Sequence, residues 1–310
     1  MHVFVTGGSG WVGSGLVPDL LAHGHTVAAL ARSDPSAAAL RSAGAEAVPG
    51  TLDDLGVLGD AAASADAVVH LGFKHDIAFA GDYGRAARDD RTVIDAFAER
   101  LAGTGKAFVV ASGVLGVVGV GSGVVATERD GRAAHEAAGP ISGGGDRSAT
   151  ARHILALADR GIRASVVRLP PATHGAGDNG FTAAAVAAAR KAGASAYVGD
   201  GANRWPAVHR DDAAALFRLA AESAPAGAVL HAVAEEGVPI RKVAEAIAAG
   251  LGVPAVSVPA SDAGRYLGFL GTFWSTDGPA SARLTRDLLG WNPTGPTWLD
   301  DLRTDAYYRA

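Results

Sequence analysis

The sequence contains no cysteine and no excess of positive charge. Without cysteine there is no disulfide scaffold, no thiolate nucleophile and no zinc site with cysteine ligands. The 27 lysines and arginines are outnumbered by 32 aspartates and glutamates, which gives a formal net charge of -5 at pH 7. Such a chain has no strong positive field with which to hold a nucleic-acid backbone. We therefore expect no nucleic-acid partner, and chemistry that comes from other side chains or from a cofactor.

Charged residues are also few, at 19% of the chain, whereas hydrophobic residues make up 48%. This balance is typical of a folded enzyme with a large core and excludes a disordered chain. No basic leader precedes the first apolar run, so we predict a cytoplasmic protein. Residues 109–127 carry no charge, but five glycines and two serines interrupt them. We interpret this stretch as a buried strand that leads into a glycine-rich loop, not as a membrane helix, and expect no membrane partner.

The first half of the chain alternates short β-branched runs with longer alanine- and leucine-rich segments of helical period. That alternation is typical of repeated βαβ units, and near-continuous apolar runs need cover on both faces of a sheet. We therefore predict an α/β fold, a Rossmann-type doubly wound parallel sheet with a smaller C-terminal substrate-binding region. The predicted strands are residues 3–6, 26–31, 47–48, 67–71, 108–111 and 164–169. The predicted helices are residues 11–23, 37–43, 53–63, 83–102, 148–160, 182–191, 211–223, 240–251 and 281–289.

Glycines recur at every third position directly after the first predicted strand, at Gly7, Gly10 and Gly13 behind Thr6. Gly7 permits a tight turn, Gly10 lets a pyrophosphate approach the backbone, and Gly13 lets the next helix pack closely on the strand. The helix at residues 11–23 then points its positive end at the phosphates. Because the pattern follows a strand and opens a helix inside a βαβ unit, we predict a dinucleotide-binding loop rather than an ordinary turn.

The end of the second predicted strand bears on the choice of cofactor. A carboxylate there would accept hydrogen bonds from a ribose 2′-hydroxyl, but the chain has Arg32 followed by Ser33. An arginine suits a 2′-phosphate, so we predict NADP(H) in preference to NAD(H). The alternative is a solvated arginine at the end of a strand.

Two turn-rich segments mark the boundary between the halves of the chain, a Pro-Pro pair at residues 170–171 and a Gly/Asp/Asn cluster at residues 175–180. We predict a dinucleotide-binding domain at residues 1–170 and a mainly substrate-binding region at residues 171–310. Segments near residues 206–223 are expected to return to the first domain.

Together with the glycine loop, further motifs resemble those of the short-chain dehydrogenase/reductase family, in its extended and atypical branch of NAD-dependent epimerase/dehydratase type. They are Val68-Val69-His70-Leu71-Gly72, Val110-Ala111-Ser112-Gly113, Arg168-Leu169-Pro170-Pro171, Val198-Gly199-Asp200-Gly201, Val208-His209-Arg210-Asp211-Asp212 and Leu289-Gly290-Trp291-Asn292-Pro293. The resemblance covers nearly the whole chain and implies a nicotinamide cofactor and a small-molecule substrate. It implies cofactor contacts at Thr6, Gly7, Gly10, Trp11, Val12, Gly13, Arg32, Ser33, Leu52, Leu71, Gly72, Phe73, Ser112, Arg147 and Leu169.

The family's catalytic signature is missing. Its members carry a Tyr-x-x-x-Lys pair on the helix after the fifth strand, in which the lysine lowers the tyrosine pKa for proton exchange with substrate. No tyrosine of this chain precedes a lysine by four positions, and the expected places hold Gly143 and Arg147. Alignment on the fifth strand also puts Ser112 one position early and Gly113 at the usual catalytic hydroxyl. The standard apparatus for carbonyl reduction is therefore absent.

Four other residues are candidates for the catalytic role, because residues just after strands four, five and six face the ligand in an open α/β sheet. Lys74 and His75 follow the fourth strand, although this acid/base cluster could instead be a solvated loop. His174 follows the sixth strand, where the family often has a pocket tyrosine, and its alternative is an ordinary loop histidine. Arg147 would steer an anionic substrate or the cofactor ribose, unless it pairs with Asp146.

The resemblance places substrate contacts at Gly113, Val114, Tyr197, Arg204 and Trp205. Phe269, Phe273 and Trp274 are candidates for an aromatic wall, with core packing as the alternative. An aromatic wall would favour an apolar or aromatic substrate over a nucleotide sugar.

These observations favour an NADPH-dependent reductase that acts on a small, apolar or aromatic carbonyl, imine or conjugated alkene. An iminium or a conjugated double bond is already electrophilic and needs less help from a general acid. The alternatives are a non-catalytic NADP(H)-binding sensor or regulator, and a non-redox lyase, isomerase or cyclase on the same fold. The sequence has no GxxxxGK[ST] loop for nucleoside triphosphates and no GxSxG nucleophile elbow. It also has no HExxH zinc pair, and we predict no metal. A homodimer through helices 83–102 and 148–160 is possible.

Overall fold

The computed structural model describes residues 1–115, 117, 123–131 and 144–309, and at residues 79 and 144–148 it describes the backbone alone. The strands are β1 His2–Thr6, β2 Thr26–Ala31, β3 Glu46–Pro49, β4 Ala67–His70, β5 Ala107–Gly113, β6 Arg163–Leu169, β7 Ala172–His174, β8 Ser195–Val198, β9 Arg204–His209, β10 Ala228–His231, β11 Glu235–Pro239 and β12 Ala255–Val258.

The α-helices are α1 Gly13–Ala22, α2 Asp34–Ser42, α3 Leu55–Ser64, α4 His75–Phe79, α5 Tyr83–Leu101, α6 Gly144–Ala156, α7 Phe181–Ala192, α8 Arg210–Ser223, α9 Ile240–Leu251, α10 Ala263–Leu267, α11 Arg283–Leu289 and α12 Trp298–Asp301. Turns of 3₁₀ helix lie at Leu157–Arg160, Ala260–Asp262, Gly268–Thr272 and Asp305–Tyr307.

Seven parallel strands form the central sheet, in the order β10-β6-β5-β4-β1-β2-β3. Successive residues of each strand face opposite sides, so Val3 and Val5 enter one buried cluster while Phe4 enters the other. Helices α1 and α8 cover the first side. Helices α3, α5 and α6 cover the second. The predicted fold class, a doubly wound Rossmann-type sheet, is thereby confirmed.

Two smaller sheets follow, β11-β9-β7 and β12-β8, and they enclose a core of their own. These two sheets and the helices packed on their core are here called the small domain, as a label and not as a boundary. Its largest side chains are Trp205, Trp274 and Trp298, all essentially without exposed surface. Two later elements join the central sheet: α8 packs on α1, where Arg218 pairs with Asp19 at 2.8 Å, and β10 extends the sheet beyond β6. The division at residue 170 stays a prediction.

Two helices begin at other residues than predicted, and for α2 a side-chain cap explains the difference. Helix α2 starts three residues before the predicted position 37, because Ser33 and Ser36 form a reciprocal capping box ahead of it. Helix α1 starts at Gly13 rather than at residue 11. Trp11 and Val12 therefore belong to the turn that precedes the helix.

Within the described ranges, none of the helices has the length and apolar character needed to span a bilayer. The uncharged stretch at residues 109–127 begins as the inner strand β5, and near its end Ala126 pairs with Ala280.

Candidate functional site

The turn between β1 and α1, here called the glycine loop (residues 7–13), can be built only with glycine at two places. Gly7 has φ +71°, and a Cβ on it would lie 2.9 Å from the backbone nitrogen of Gly72. A Cβ on Gly13 would lie 2.1 Å from the carbonyl oxygen of Gly7. The first contact brings the glycine loop against the loop after β4, and the second packs α1 directly on the turn.

The glycine loop presents unused backbone donors at the start of α1. Gly10 N–H donates to Gly7 O at 2.9 Å and Ser14 N–H to Gly10 O at 2.8 Å. Among the described residues, the N–H groups of Trp11, Val12 and Gly13 have no acceptor. Free N–H groups together with the positive end of a ten-residue helix suit a pyrophosphate. The residues present therefore fit a dinucleotide.

Three buried polar side chains lie under the glycine loop. The Thr6 hydroxyl is 2.6 Å from His70 Nδ1, and His70 Nε2 is 3.1 Å from Asp90 Oδ1. The Thr6 oxygen also accepts a hydrogen bond from Gly72 N–H at 3.1 Å. Thr6 and Gly72, both predicted as cofactor contacts, are thus joined to each other and to α5.

The second edge of the site is formed by the ends of β2, β3 and β4. Arg32 is exposed at the end of β2 and pairs with no carboxylate in the described part of the chain. The Ser33 hydroxyl caps α2 by accepting from Ser36 N–H. Leu52 is adjacent to the β4 loop (residues 71–74), because a Cβ on Gly72 would lie 3.1 Å from its Cδ2 atom. Leu71 and Phe73 complete that loop and are both partly buried.

Lys74 is held between two carboxylates. Its Nζ lies 2.6 Å from Asp53 Oδ1 and 2.8 Å from Asp89 Oδ2. Partial burial lowers the pKa of Lys74, but the hydrogen bonds and charges of the two carboxylates outweigh that effect, and the net pKa is raised. In turn, the hydrogen bond from Lys74 holds the pKa of Asp89 below its usual value. An ammonium whose pKa is raised holds its proton more tightly and is a weaker proton donor.

The other predicted catalytic residues occupy different surroundings. His75 is exposed at the start of α4, with its ring 5.0 Å from that of Phe73. His174 is fully buried, and its Nδ1 lies 2.6 Å from Asp301 Oδ2, while Nε2 has no hydrogen-bond partner among the described residues and faces Glu235 Oε2 at 4.0 Å. This placement favours a structural role for His174 in the small domain. The side chain of Arg147 and all of Gly143 lie outside the described residues.

The carboxyl ends of β5 and β6 lie side by side in the central sheet. Ser112 is paired with Arg168 and Gly113 with Leu169 in the sheet, and Val114 N–H donates to Leu169 O at 3.0 Å. Ser112 and Val114 are buried, whereas Gly113 is exposed and a Cβ there would meet no atom of the described residues within 4 Å. The position predicted for the usual catalytic hydroxyl therefore has open space around it within the described part of the chain.

The predicted substrate contacts in the small domain divide into core and surface. Trp205 has no exposed surface and donates its indole N–H to Thr276 O at 3.1 Å, and Trp274 does the same to Ala196 O. Both tryptophans lie in the core, which favours core packing over a substrate contact at Trp205 and over an aromatic wall that includes Trp274. The two rings pack against each other, with their centroids 5.0 Å apart.

Arg204 and Tyr197 remain partly accessible, but Arg204 is already paired. Its Nε and Nη2 atoms donate to both oxygens of Asp277 at 3.0 and 2.9 Å, and Asp277 also accepts from the Arg204 backbone N–H. This hydrogen bonding raises the pKa of Arg204 and lowers that of Asp277. Tyr197 has Arg241 above its ring at 5.6 Å. Phe269 is exposed, and its ring centroid lies 6.2 Å from that of Phe181.

The structure adds partners of the predicted site residues, and the sequence did not reveal these pairings. Trp11 donates its indole N–H to Thr173 O at 2.8 Å, and Arg210 lies over the Trp11 ring at 4.9 Å. Asp53, Asp89 and Asp90 anchor the β4 loop and its neighbours. These partners are 15 or more positions apart in the chain, and no local pattern links them. Only the motif around His70 offered a signal.

A parallel α/β sheet with a glycine loop opening its first helix defines a dinucleotide-binding protein of the Rossmann class. The chain belongs to the NAD dependent epimerase/dehydratase family, whose model matches residues 3–233.

Sequence relatives and solved structures both match the chain over nearly its whole length. The chain is 43% identical over 308 residues to an uncharacterized protein of Schizosaccharomyces pombe, which covers 99% of this chain and 100% of the relative. It is also 39% identical over 307 residues to an uncharacterized protein of Saccharomyces cerevisiae, and this match covers 98% of this chain and 99% of the relative. The dTDP-glucose 4,6-dehydratase DesIV from Streptomyces venezuelae, solved with NAD bound, superposes with a TM-score of 0.78 at 20% sequence identity. The match covers 99% of this chain and 97% of that chain. The UDP-glucose 4-epimerase of Thermotoga maritima superposes with a TM-score of 0.75 at 18% sequence identity. The match covers 99% of this chain and 98% of that chain. At these identities the solved structures show the fold alone.

Proposed function

We propose that the protein is a nicotinamide-dependent oxidoreductase that uses NADP(H) in preference to NAD(H). The observation that carries the proposal is the glycine loop, in which the free N–H groups of Trp11, Val12 and Gly13 meet the N-terminus of α1. Family membership supports it, and the related dehydratase was solved with NAD.

The preference for NADP(H) rests on Arg32. Its exposed guanidinium at the end of β2 is available to a 2′-phosphate, and no carboxylate follows the strand directly to receive a ribose 2′-hydroxyl. Ser33 is committed to the α2 cap, so Arg32 is the residue that distinguishes the two cofactors.

The substrate we propose is small and uncharged, an apolar or aromatic carbonyl, imine or conjugated alkene. Asp277 neutralises Arg204, which removes the cation that would otherwise attract an anionic substrate to this side of the small domain. The open space at Gly113 leaves room for substrate beside the end of β5. Phe181, Phe269 and Phe273 remain as aromatic surface after the tryptophans are assigned to the core.

When bound, the nicotinamide supplies a hydride. The chain contributes the backbone donors that orient the dinucleotide and the β4 loop that lines its other side. His75 is exposed at the start of α4, directly after the β4 loop, and for this position we propose it as the side chain that holds or releases a proton. A substrate that is already electrophilic needs little more than this.

Titration with NADPH and with NADH tests the cofactor choice. We expect Arg32→Ala to weaken NADPH binding by about tenfold or more and to leave NADH binding unchanged, because a charged contact to phosphate is lost. Arg41→Ala is the matched control, since Arg41 is an exposed cation in the last turn of α2. Equal losses for both cofactors in Arg32→Ala would contradict the NADP(H) preference.

Turnover is then measured on a panel of carbonyls, imines and enones by the absorbance of reduced nicotinamide. We expect NADPH consumption with at least one class. Tight NADPH binding without turnover, together with a partner protein, would replace the proposal with a sensor. Product formation without a change in absorbance would replace it with a lyase, isomerase or cyclase.

A further inference from the structure

Thr6, His70 and Asp90 form one hydrogen-bonded chain that runs from the glycine loop to α5. All three side chains are at least nine-tenths buried. The chain ends at Gly72, whose N–H donates to the Thr6 oxygen. Gly72 is also the residue whose backbone would be 2.9 Å from a Cβ on Gly7. Any shift of the Thr6 hydroxyl therefore moves the contact between the glycine loop and the β4 loop.

The donors and acceptors of this chain allow one consistent arrangement of protons. Because Thr6 already accepts from Gly72 N–H, its single hydrogen is available to His70 Nδ1, which must then be unprotonated. The imidazole proton lies on Nε2 and is donated to Asp90 Oδ1. Each of the three contacts then pairs one donor with one acceptor.

The two other forms of the ring each leave a defect. With the proton on Nδ1 alone, the lone pair of Nε2 would face the Asp90 carboxylate at 3.1 Å. With both nitrogens protonated, Thr6 would accept twice, and its own hydrogen would have no acceptor among the described residues. An unsatisfied buried donor is costly.

We infer that His70 and Asp90 are positioning residues, which hold the Thr6 hydroxyl and thereby Gly72 in place through a neutral imidazole protonated at Nε2. The pair sets the distance between the glycine loop and the β4 loop, the two walls against which a dinucleotide would lie. The inference deepens the proposed function and rests on it for the effect on cofactor binding. The state of the ring does not depend on that function.

The ring is examined first in the wild-type protein without cofactor, by long-range ¹H–¹⁵N correlation of the histidine side chains at neutral pH. His70→Gln identifies the His70 signals. We expect a protonated Nε2 and an unprotonated Nδ1. A ring protonated at Nδ1 alone, or at both nitrogens, would overturn the inference.

The hydroxyl is examined with a matched pair of variants, Thr6→Val and Thr6→Ser. Valine has nearly the same shape without the hydroxyl, whereas serine keeps it. We expect Thr6→Val to lose protection of the Gly72 amide against hydrogen exchange and to weaken NADP⁺ binding about tenfold, the effect of one hydrogen bond. Thr6→Ser should resemble wild type in both measurements. Equal behaviour of the two variants would contradict a role for the hydroxyl.

Asp90 is examined in the same way. Asp90→Asn keeps an acceptor oxygen for Nε2–H, whereas Asp90→Leu removes it at similar volume. We expect Asp90→Asn to preserve the ring state and most of the NADP⁺ affinity, and Asp90→Leu to lose both. If wild type binds neither NADP⁺ nor NAD⁺, the proposed function fails, while the ring state and the Gly72 exchange still decide whether the pair positions the loops.

Discussion

At the scale of single residues, Lys74 shows how environment assigns a role that residue type leaves open. Its charge is fixed by Asp53 from the loop after β3 and by Asp89 from α5. Lys74 thus links three segments around the β4 loop. We therefore infer, as a proposal, that Lys74 acts as a cross-link and not as a proton donor.

Replacing Lys74 by methionine tests that conclusion. We expect Lys74→Met to raise the KM for NADPH several-fold and to lower stability by about 1 kcal/mol, because two carboxylates lose their cation, while kcat stays near wild type. Lys191→Met is the control, since Lys191 is an exposed lysine of α7. Steady-state kinetics separate the two parameters. A fall in kcat of about 100-fold or more, typical of a lost general acid, would restore Lys74 as catalytic.

The candidate site was predictable from the sequence where the chemistry is local. Gly7, Gly10 and Gly13 are spaced within one turn, and the structure needs glycine at Gly7 and Gly13. The surroundings of His174 were not predictable, because its partner Asp301 is 127 positions away and meets it only when α12 packs on β7. For Trp205, the sequence pattern does not distinguish a side chain that lines a pocket from one that packs in a core.

At the scale of elements, six of the seven strands of the central sheet were predictable, whereas β10 and the two small sheets were not. Strands β1, β4 and β5 are buried on both faces and read as continuous apolar runs. By contrast, β7 has three residues and β11 includes glycine and two glutamates, so neither shows a strand period. Such strands form because larger elements bring them together.

The last strand of the central sheet depends on a buried histidine. His231 in β10 has Nδ1 2.8 Å from Ser281 O, which makes Nδ1 the donor, and its Nε2 faces Arg168 Nη1 at 3.3 Å. Its backbone N–H donates to Thr285 in α11. Burial, followed by the charge of Arg168, lowers the pKa of His231 from 6.5 to about 3. The neutral ring therefore fastens the segment before α11 to the sheet edge.

This lowered pKa predicts acid sensitivity. The unfolded chain takes up a proton at His231 below pH 6.5, whereas the folded protein does so only near pH 3, so the stability from this group is present above 6.5 and is lost as pH falls toward 3. By linkage the loss reaches at most roughly 3 kcal/mol at pH 4.5. We expect His231→Asn to be less stable than wild type at pH 7 but to lose less between pH 7 and 4.5, as measured by urea unfolding. Parallel pH profiles of the two proteins would contradict this account.

At the scale of the whole molecule, Trp11 connects the glycine loop to the small domain. Its indole N–H bonds to Thr173 O in β7, and the next residue, His174, bonds to Asp301 in α12. On the other side, Arg210 at the start of α8 lies over the ring. A Cβ on Gly175 would lie 3.5 Å from the same ring, so the loop after β7 is packed against it as well. A dinucleotide that orders the glycine loop should therefore also order β7 and the loop that follows.

Trp11→Phe separates the two effects, because phenylalanine keeps a ring beneath Arg210 but has no N–H for Thr173 O. In wild type we expect NADPH to increase hydrogen-exchange protection both in the glycine loop and at residues 172–177. In Trp11→Phe the first increase should remain and the second should be lost, with NADPH binding weakened up to about tenfold by the missing hydrogen bond. Trp291→Phe is the control, since Trp291 also donates to a backbone carbonyl, Asp212 O at 3.0 Å. Protection at residues 172–177 that survives in Trp11→Phe would mean that dinucleotide binding reaches the small domain by a route other than this indole.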